Sequence, residues 1–149
     1  MQYLARKSSG PRAPPSSVIS GESTENLSTA LDAVGQELCD GFGMKITRIG
    51  GIRPMTQVRD MCQIRSRPHT CDDSWGGNII AAACTHVSAT VHPKLNEGTW
   101  IAAPYLDDVH YDPANPVDVV DGYIQLPDGP GLGVVVDESV LGEPIAVIE

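Results

Sequence analysis

No apolar run in this 149-residue sequence approaches the roughly twenty residues that a membrane-spanning helix needs, which excludes a helical membrane protein. Basic residues are scarce as well. Residues 1–17 hold Arg6, Lys7 and Arg12, and the other 132 residues carry seven bases against nineteen acids, for a formal net charge of -9. A body so acidic repels a phosphate backbone and argues against nucleic acid as a partner. The opening MQYLARKSSGPRAPPSS has no apolar core of seven or more residues, so it fails as a secretory signal and reads as a disordered, basic, Pro/Ser-rich leader over residues 1–17. The four cysteines, Cys39, Cys62, Cys71 and Cys84, form no CxxC pair. That spacing predicts buried free thiols in a reducing cytoplasm rather than a disulfide frame or a zinc site.

With 41% hydrophobic residues and a mean hydropathy of -0.11, the composition is that of a soluble globular protein, long enough for one ordinary domain. SVIS at residues 17–20 is a strand-like fragment. STENLSTALDAVGQEL follows, with Leu27, Leu31, Val34 and Leu38 at helical spacing and Ser23 or Thr24 able to cap it. In GFGMKIT, Phe42, Met44 and Ile46 alternate with Gly43, Lys45 and Thr47, so the two sets point to opposite faces of a strand and Lys45 projects away from the helix layer. Pro54 opens a second helix that carries Met55, Val58, Met61 and Cys62 on one side. A short strand ends in RPHTC. GGNIIAAACTHVSATV is a third helix, apolar enough to be covered on most sides, and TWIAA reads as a buried strand. From Pro104 the pattern changes to turn chemistry in YDPANP, DGY and LPDGPGLG, with GYIQL and GVVV as short strands among the turns.

Alternation of strands and helices implies α/β architecture with parallel strands and crossover helices, as an open sheet or as half of an eight-stranded barrel. Working groups in such folds sit at the carboxyl ends of the strands, where Glu22, Lys45, Asp72 and Asp73 fall. Each has a simpler reading: Lys45 as a lysine snorkelling from a strand end, Glu22 as a helix-capping acid, Asp72 and Asp73 as acids at a helix N-terminus. His69 and His86 lack the paired spacing of metal ligands and read as structural histidines, and Trp75 and Trp100 read as packing residues, Trp100 also being a candidate to line a cavity in a complete barrel. PDGPGLG precedes a strand instead of a helix and is a turn.

In order and spacing, the ES-led helix, GFGMKITRIGG, PHTCDDSWGGNIIAAACTH and DGYIQLPDGPGLGVVVDE resemble the C-terminal half of the mandelate racemase and muconate lactonizing enzymes of the enolase superfamily, and most of all the branch acting on proline derivatives, such as the hydroxyproline dehydratases. The resemblance implies a partial (β/α)8 barrel, about strands five to eight with their helices over residues 18–112, followed by an irregular, β-rich tail of the same domain over 113–149. It implies magnesium-assisted removal of a proton next to the carboxylate of a small amino-acid or hydroxy-acid substrate, in a dehydratase, racemase or epimerase. It casts Lys45 as a proton carrier facing the barrel interior. It casts Asp72 or Asp73 as the polar catalytic group after strand seven, and Glu22 as the third metal carboxylate, with Gly21 as the alternative register.

The family's earlier lysine pair, its first two metal ligands and its capping domain have no counterpart ahead of strand five in these residues. The expectation is therefore a truncated lyase or isomerase segment that is inactive alone. The alternative is a non-catalytic half-barrel that pairs its open edges with itself or with a complementary half.

Overall fold

The structure is a computed structural model and describes residues 19–21, 24–73, 75–102, 105 and 112–146. The leader and Glu22 lie outside the described residues. Strands β1 (Ile19–Ser20), β2 (Gly41–Lys45) and β3 (His69–Asp72) form a parallel sheet in the order β1-β2-β3. Helix α1 (Leu27–Gly35) crosses from β1 to β2, the short α2 (Ile46–Ile49) and the longer α3 (Ile52–Ile64) cross from β2 to β3, and α4 (Gly77–Ser88) follows β3. A doubly wound sheet would reverse strand order at its ligand crevice; here each strand lies beside its predecessor, as successive staves of a barrel do.

Alternation in β2 sets the layers. Phe42 and Met44 are buried against the helices, where Met55, Val58 and Cys62 of α3 and Cys84 and Val87 of α4 complete one apolar cluster. Gly43 and Lys45 face the other way, as expected from the sequence. Helix α3 buries the expected Met55, Val58 and Cys62, with Met61 packed partly against them. Between α2 and α3 the chain turns through Gly50 and Gly51, at φ of 103° and 110°, where a residue with a Cβ would be strained.

Four local expectations are corrected. Helix α1 is capped by Asn26, whose Oδ1 accepts from the Thr29 amide at 3.0 Å, and not by Ser23 or Thr24. Its buried face is Ala30, Ala33 and Val34, while Leu31 is 51% exposed. GVVV forms no strand. Of TWIAA, residues 99–102 belong to a fourth strand-like stretch that is bulged, Ala103 lying outside the described residues: the His69 amide donates to Leu95 O (2.9 Å), but the Cys71 amide donates to Gly98 O (3.2 Å) and that of Asp73 to Trp100 O (2.9 Å). The acceptor advances three residues where β3 advances two, so one extra residue is accommodated at Gly98, whose φ is 123°.

Beyond Asp112 the chain forms an antiparallel hairpin, β4 (Val119–Val120) and β5 (Tyr123–Ile124), joined by Asp121 and Gly122, both at positive φ as a type I′ turn requires. Val117 packs with Ala81, Ala82 and Ile101, with Leu132 and Val134 against them, and His86 Nε2 donates to Leu132 O at 3.1 Å. PDGPGLG is a turn, closed by the Gly133 amide donating to Pro130 O. All four cysteines are buried and unpaired as disulfides, and burial raises the Cys62 and Cys71 thiols to about 12. Among the described residues no helix is long and apolar enough to cross a membrane.

Candidate active site

Lys45 is the last residue of β2 and Asp72 the last of β3, and the parallel register pairs them directly. The preceding inward pair is Gly43 and Thr70. Their small size leaves the sheet face open: a Cβ on Gly43 would sit 3.5 Å from Thr70 Oγ1 and 3.6 Å from Asp72 Oδ2. Lys45 and Asp72 thus stand together on the non-helical face at the carboxyl ends of their strands, and both line a cavity of about 520 Å³ with Asp73, Trp75, Trp100 and Tyr105.

Asp72 is held by one oxygen. The Thr70 hydroxyl donates to its Oδ2 at 2.8 Å, while its Oδ1 is buried with no hydrogen-bond partner among the described residues. Burial pushes its carboxyl up to about 6; the Thr70 hydroxyl, the nearby Trp100 amide and the Lys45 charge oppose that shift without cancelling it, and the adjacent Asp73 adds to it. Asp73, by contrast, is buried and uses both oxygens: Oδ2 accepts from the Ala102 amide at 2.8 Å and Oδ1 from the Trp75 amide at 3.4 Å. Neither aspartate caps α4, whose N-cap is Gly76 and whose first turn has no acid, so the helix-terminus reading of these two residues is set aside.

Trp75 and Trp100 are 64% and 68% exposed and do not pack in the core as the sequence suggested. They form a wall with Tyr105, whose ring centroid is 6.3 Å from that of Trp75. Trp75 has a φ of 64°, a conformation uncommon for a large side chain, on the turn between β3 and α4. Tyr105 went unnoticed in the sequence because no periodicity marks it; its position three residues beyond a strand-end alanine was the only available signal. His69 is fully buried on the helix side, with its Nδ1 donating to Arg67 O at 3.1 Å and its Nε2 without a hydrogen-bond partner among the described residues, while His86 is satisfied by Leu132 O.

Of the candidates, the structure brings together Lys45, Asp72 and Asp73. Gly21 lies at the end of β1 with its Cα 3.7 Å from the position of a Gly43 Cβ, on the same face. For a magnesium ion the described residues do not suffice: no group of three His, Cys, Asp or Glu converges among them, and both oxygens of Asp73 already accept from backbone amides.

Comparison with known proteins bears on this geometry. The sequence profile of the family described as enolase C-terminal domain-like matches residues 2–140. The chain is 30% identical over 126 residues to cis-3-hydroxy-L-proline dehydratase of Roseibium aggregatum, covering 84% of this chain and 34% of that protein. It is 30% identical over 131 residues to chloromuconate cycloisomerase of Pseudomonas putida, covering 83% and 33%. A crystal structure of an enolase superfamily member from Roseovarius nubinhibens, complexed with magnesium, superimposes with a TM-score of 0.81 at 27% identity, over 86% of this chain and 35% of that one. The chain spans about a third of the length of the curated relatives it matches.

Proposed function

The chain belongs to the family of enolase C-terminal domain-like proteins, a partial (β/α)8 barrel of the mandelate racemase and muconate lactonizing type, and on that premise we propose that it carries one proton-transfer wall of such an active site. The observation that supports this reading is the register pair Lys45 and Asp72, on the inward face, at strand ends, beside a cavity. A lysine side chain, which takes a proton from carbon as the neutral amine and becomes the ammonium, and a carboxyl raised to about 6, which can return a proton to a leaving or reacting atom, are the two groups such chemistry needs. In this reading Lys45 moves the proton next to the substrate carboxylate, and Asp72, held by Thr70, stands beside it at the cavity as the second proton-bearing group. The aromatic wall excludes water and orients the carbon skeleton.

The substrate class we propose is a small amino- or hydroxy-acid, proline derivatives included, and the reaction a dehydration or an epimerisation. Magnesium is the ion bound in the Roseovarius nubinhibens structure. A site for it here requires carboxylates beyond the described residues, of which Glu22, beside Gly21, is the candidate in this chain. Since the described residues offer no such set, the 149-residue chain is expected to be inactive by itself.

The test is exchange of the substrate α-proton for deuterium, followed by NMR with a hydroxyproline and magnesium. The chain alone gives no exchange. Fused behind the N-terminal two-thirds of the Roseibium aggregatum dehydratase it gives exchange, which Lys45→Met abolishes. Exchange by the isolated chain, or exchange in the fusion that survives Lys45→Met, defeats the proposal.

A second reading draws on the sheet edges. Among the described residues, β1 and the stretch 95–101 each have a strand neighbour on one side only. Such edges favour pairing with a second copy or a complementary half-barrel. A single sharp monomer on gel filtration, unfolding cooperatively, counts against it.

A further inference from the structure

The two adjacent aspartates are chemically alike and placed alike, yet their surroundings differ in kind. Asp72 sits in the ladder, lines the cavity, and has one buried oxygen without a hydrogen-bond partner among the described residues. Asp73 is one residue past the ladder, and its amide and both carboxylate oxygens bond to the chain around it. Its amide donates to Trp100 O at 2.9 Å, its Oδ2 accepts from the Ala102 amide at 2.8 Å, and its Oδ1 accepts from the Trp75 amide at 3.4 Å. The first two bonds bracket Ile101, so the side chain continues the sheet pairing by one step after the backbone of β3 has turned away. The third holds the turn on which Trp75 adopts positive φ.

Each of the two rim segments that Asp73 joins carries one tryptophan, and these are the only two in the sequence. Both indoles are exposed and line the cavity, so packing in the core does not hold them; what fixes them is the backbone beneath. A carboxylate accepting from buried amides makes a stronger bond than a neutral acceptor does, and it costs more to lose.

We propose that Asp73 is a positioning residue: its carboxylate ties the turn after β3 to the segment that follows Trp100, and thereby fixes the two indoles that form the aromatic wall and set which ligand skeletons the cavity admits. The part concerning ligands rests on the reading of the cavity as the substrate site. The part concerning the wall needs no ligand and is decided separately.

The experiment uses the full chain and Asp73→Asn, which keeps the shape but leaves one acceptor oxygen for two amides. Amide exchange followed by NMR should show the Ala102 amide exchanging roughly tenfold faster than in the wild type, the fold-change for losing a charge-assisted hydrogen bond. Tryptophan emission should shift to longer wavelength and become more open to acrylamide quenching. Asp72→Asn should leave Ala102 exchange within about twofold of the wild type, because it removes no acceptor from that amide.

Unchanged Ala102 exchange and unchanged emission in Asp73→Asn would overturn the proposal, and so would equal acceleration in Asp72→Asn. Should Asp73→Asn fail to fold, the wild type alone decides. An Ala102 amide protected to the level of the Cys71 amide supports the tie, and one that exchanges at the rate of an open loop refutes it.

Discussion

Lys45 and Asp72 are register partners across the β2–β3 ladder, and the Lys45 charge acts on the Asp72 carboxyl against the burial that raises it to about 6. The pair is therefore read as one unit. Replacing Lys45 by Met removes a stabilising cation, so the Asp72 carboxyl should titrate higher still. Carbon-detected NMR of the side-chain carboxyl measures this directly, and a fall in place of a rise would separate the two residues.

The same carboxyl gives a stability test. In the unfolded chain it ionises near 3.8, in the folded one near 6, so between those values only the folded state holds the proton. Stability from this group is full below the lower value and is lost as pH rises through about 6. Asp72→Asn removes the loss. At pH 7 the variant should be more stable by on the order of 1–2 kcal/mol, allowing for water at the cavity mouth, and urea midpoints at pH 4 and 7 should lie closer together than in the wild type.

His69 acts in the opposite direction. Burial lowers its pKa below the ordinary 6.5, the Arg67 carbonyl opposes this and the Arg59 charge adds to it. The unfolded state then binds the proton first, so stability from His69 is present above 6.5 and is lost as pH falls through the folded-state value. His69→Gln should flatten the acid side of the stability profile, whatever it costs in core packing at neutral pH. A profile equally steep below pH 6.5 would contradict the assignment.

All four thiols are buried, and those of Cys62 and Cys71 are raised to about 12, where almost no thiolate exists at pH 8. A disulfide reagent should label the native chain slowly, at the rate of opening, and should titrate four thiols promptly in urea. Rapid labelling of any one thiol without denaturant would show that the helix layer does not close over the sheet.

Much of this architecture is legible in the sequence because alternation is a strong signal. GFGMK places Phe42 and Met44 on one side and Lys45 on the other with no knowledge of the partners, and the structure follows it. The apolar face of α3 is equally plain. What the sequence hides is whatever depends on contacts distant in the chain. Leu31 fits a helical stripe but points outward, because the face that α1 buries is the one carrying Ala30, Ala33 and Val34, packed with α3. The roles of Asp72 and Asp73 could not be told apart by position: the difference lies in the amides of Trp75 and Ala102, the latter twenty-nine residues away. The packing reading of Trp75 and Trp100 fails for a like reason, since hydrophobicity predicts burial and says nothing of a cavity that needs a wall, whereas the alternative reading of Trp100 as a cavity-lining residue holds.

The bulge at Gly98 carries a consequence of its own. Because side chains alternate along extended backbone, one added residue inverts the parity of everything after it. Trp100 now falls beside Asp72 over the cavity, and Ile101 turns into the apolar layer with Ala81 and Ala82. Deleting Glu97 would bring Leu95 and Gly98 two residues apart, matching His69 and Cys71, so the ladder would run without a bulge while Trp100 stays over the cavity and Ile101 stays in the apolar layer. Only a segment of full length paired without its bulge would swap the two faces and turn Ile101 toward the cleft, so the extra residue and the indole over the cavity go together.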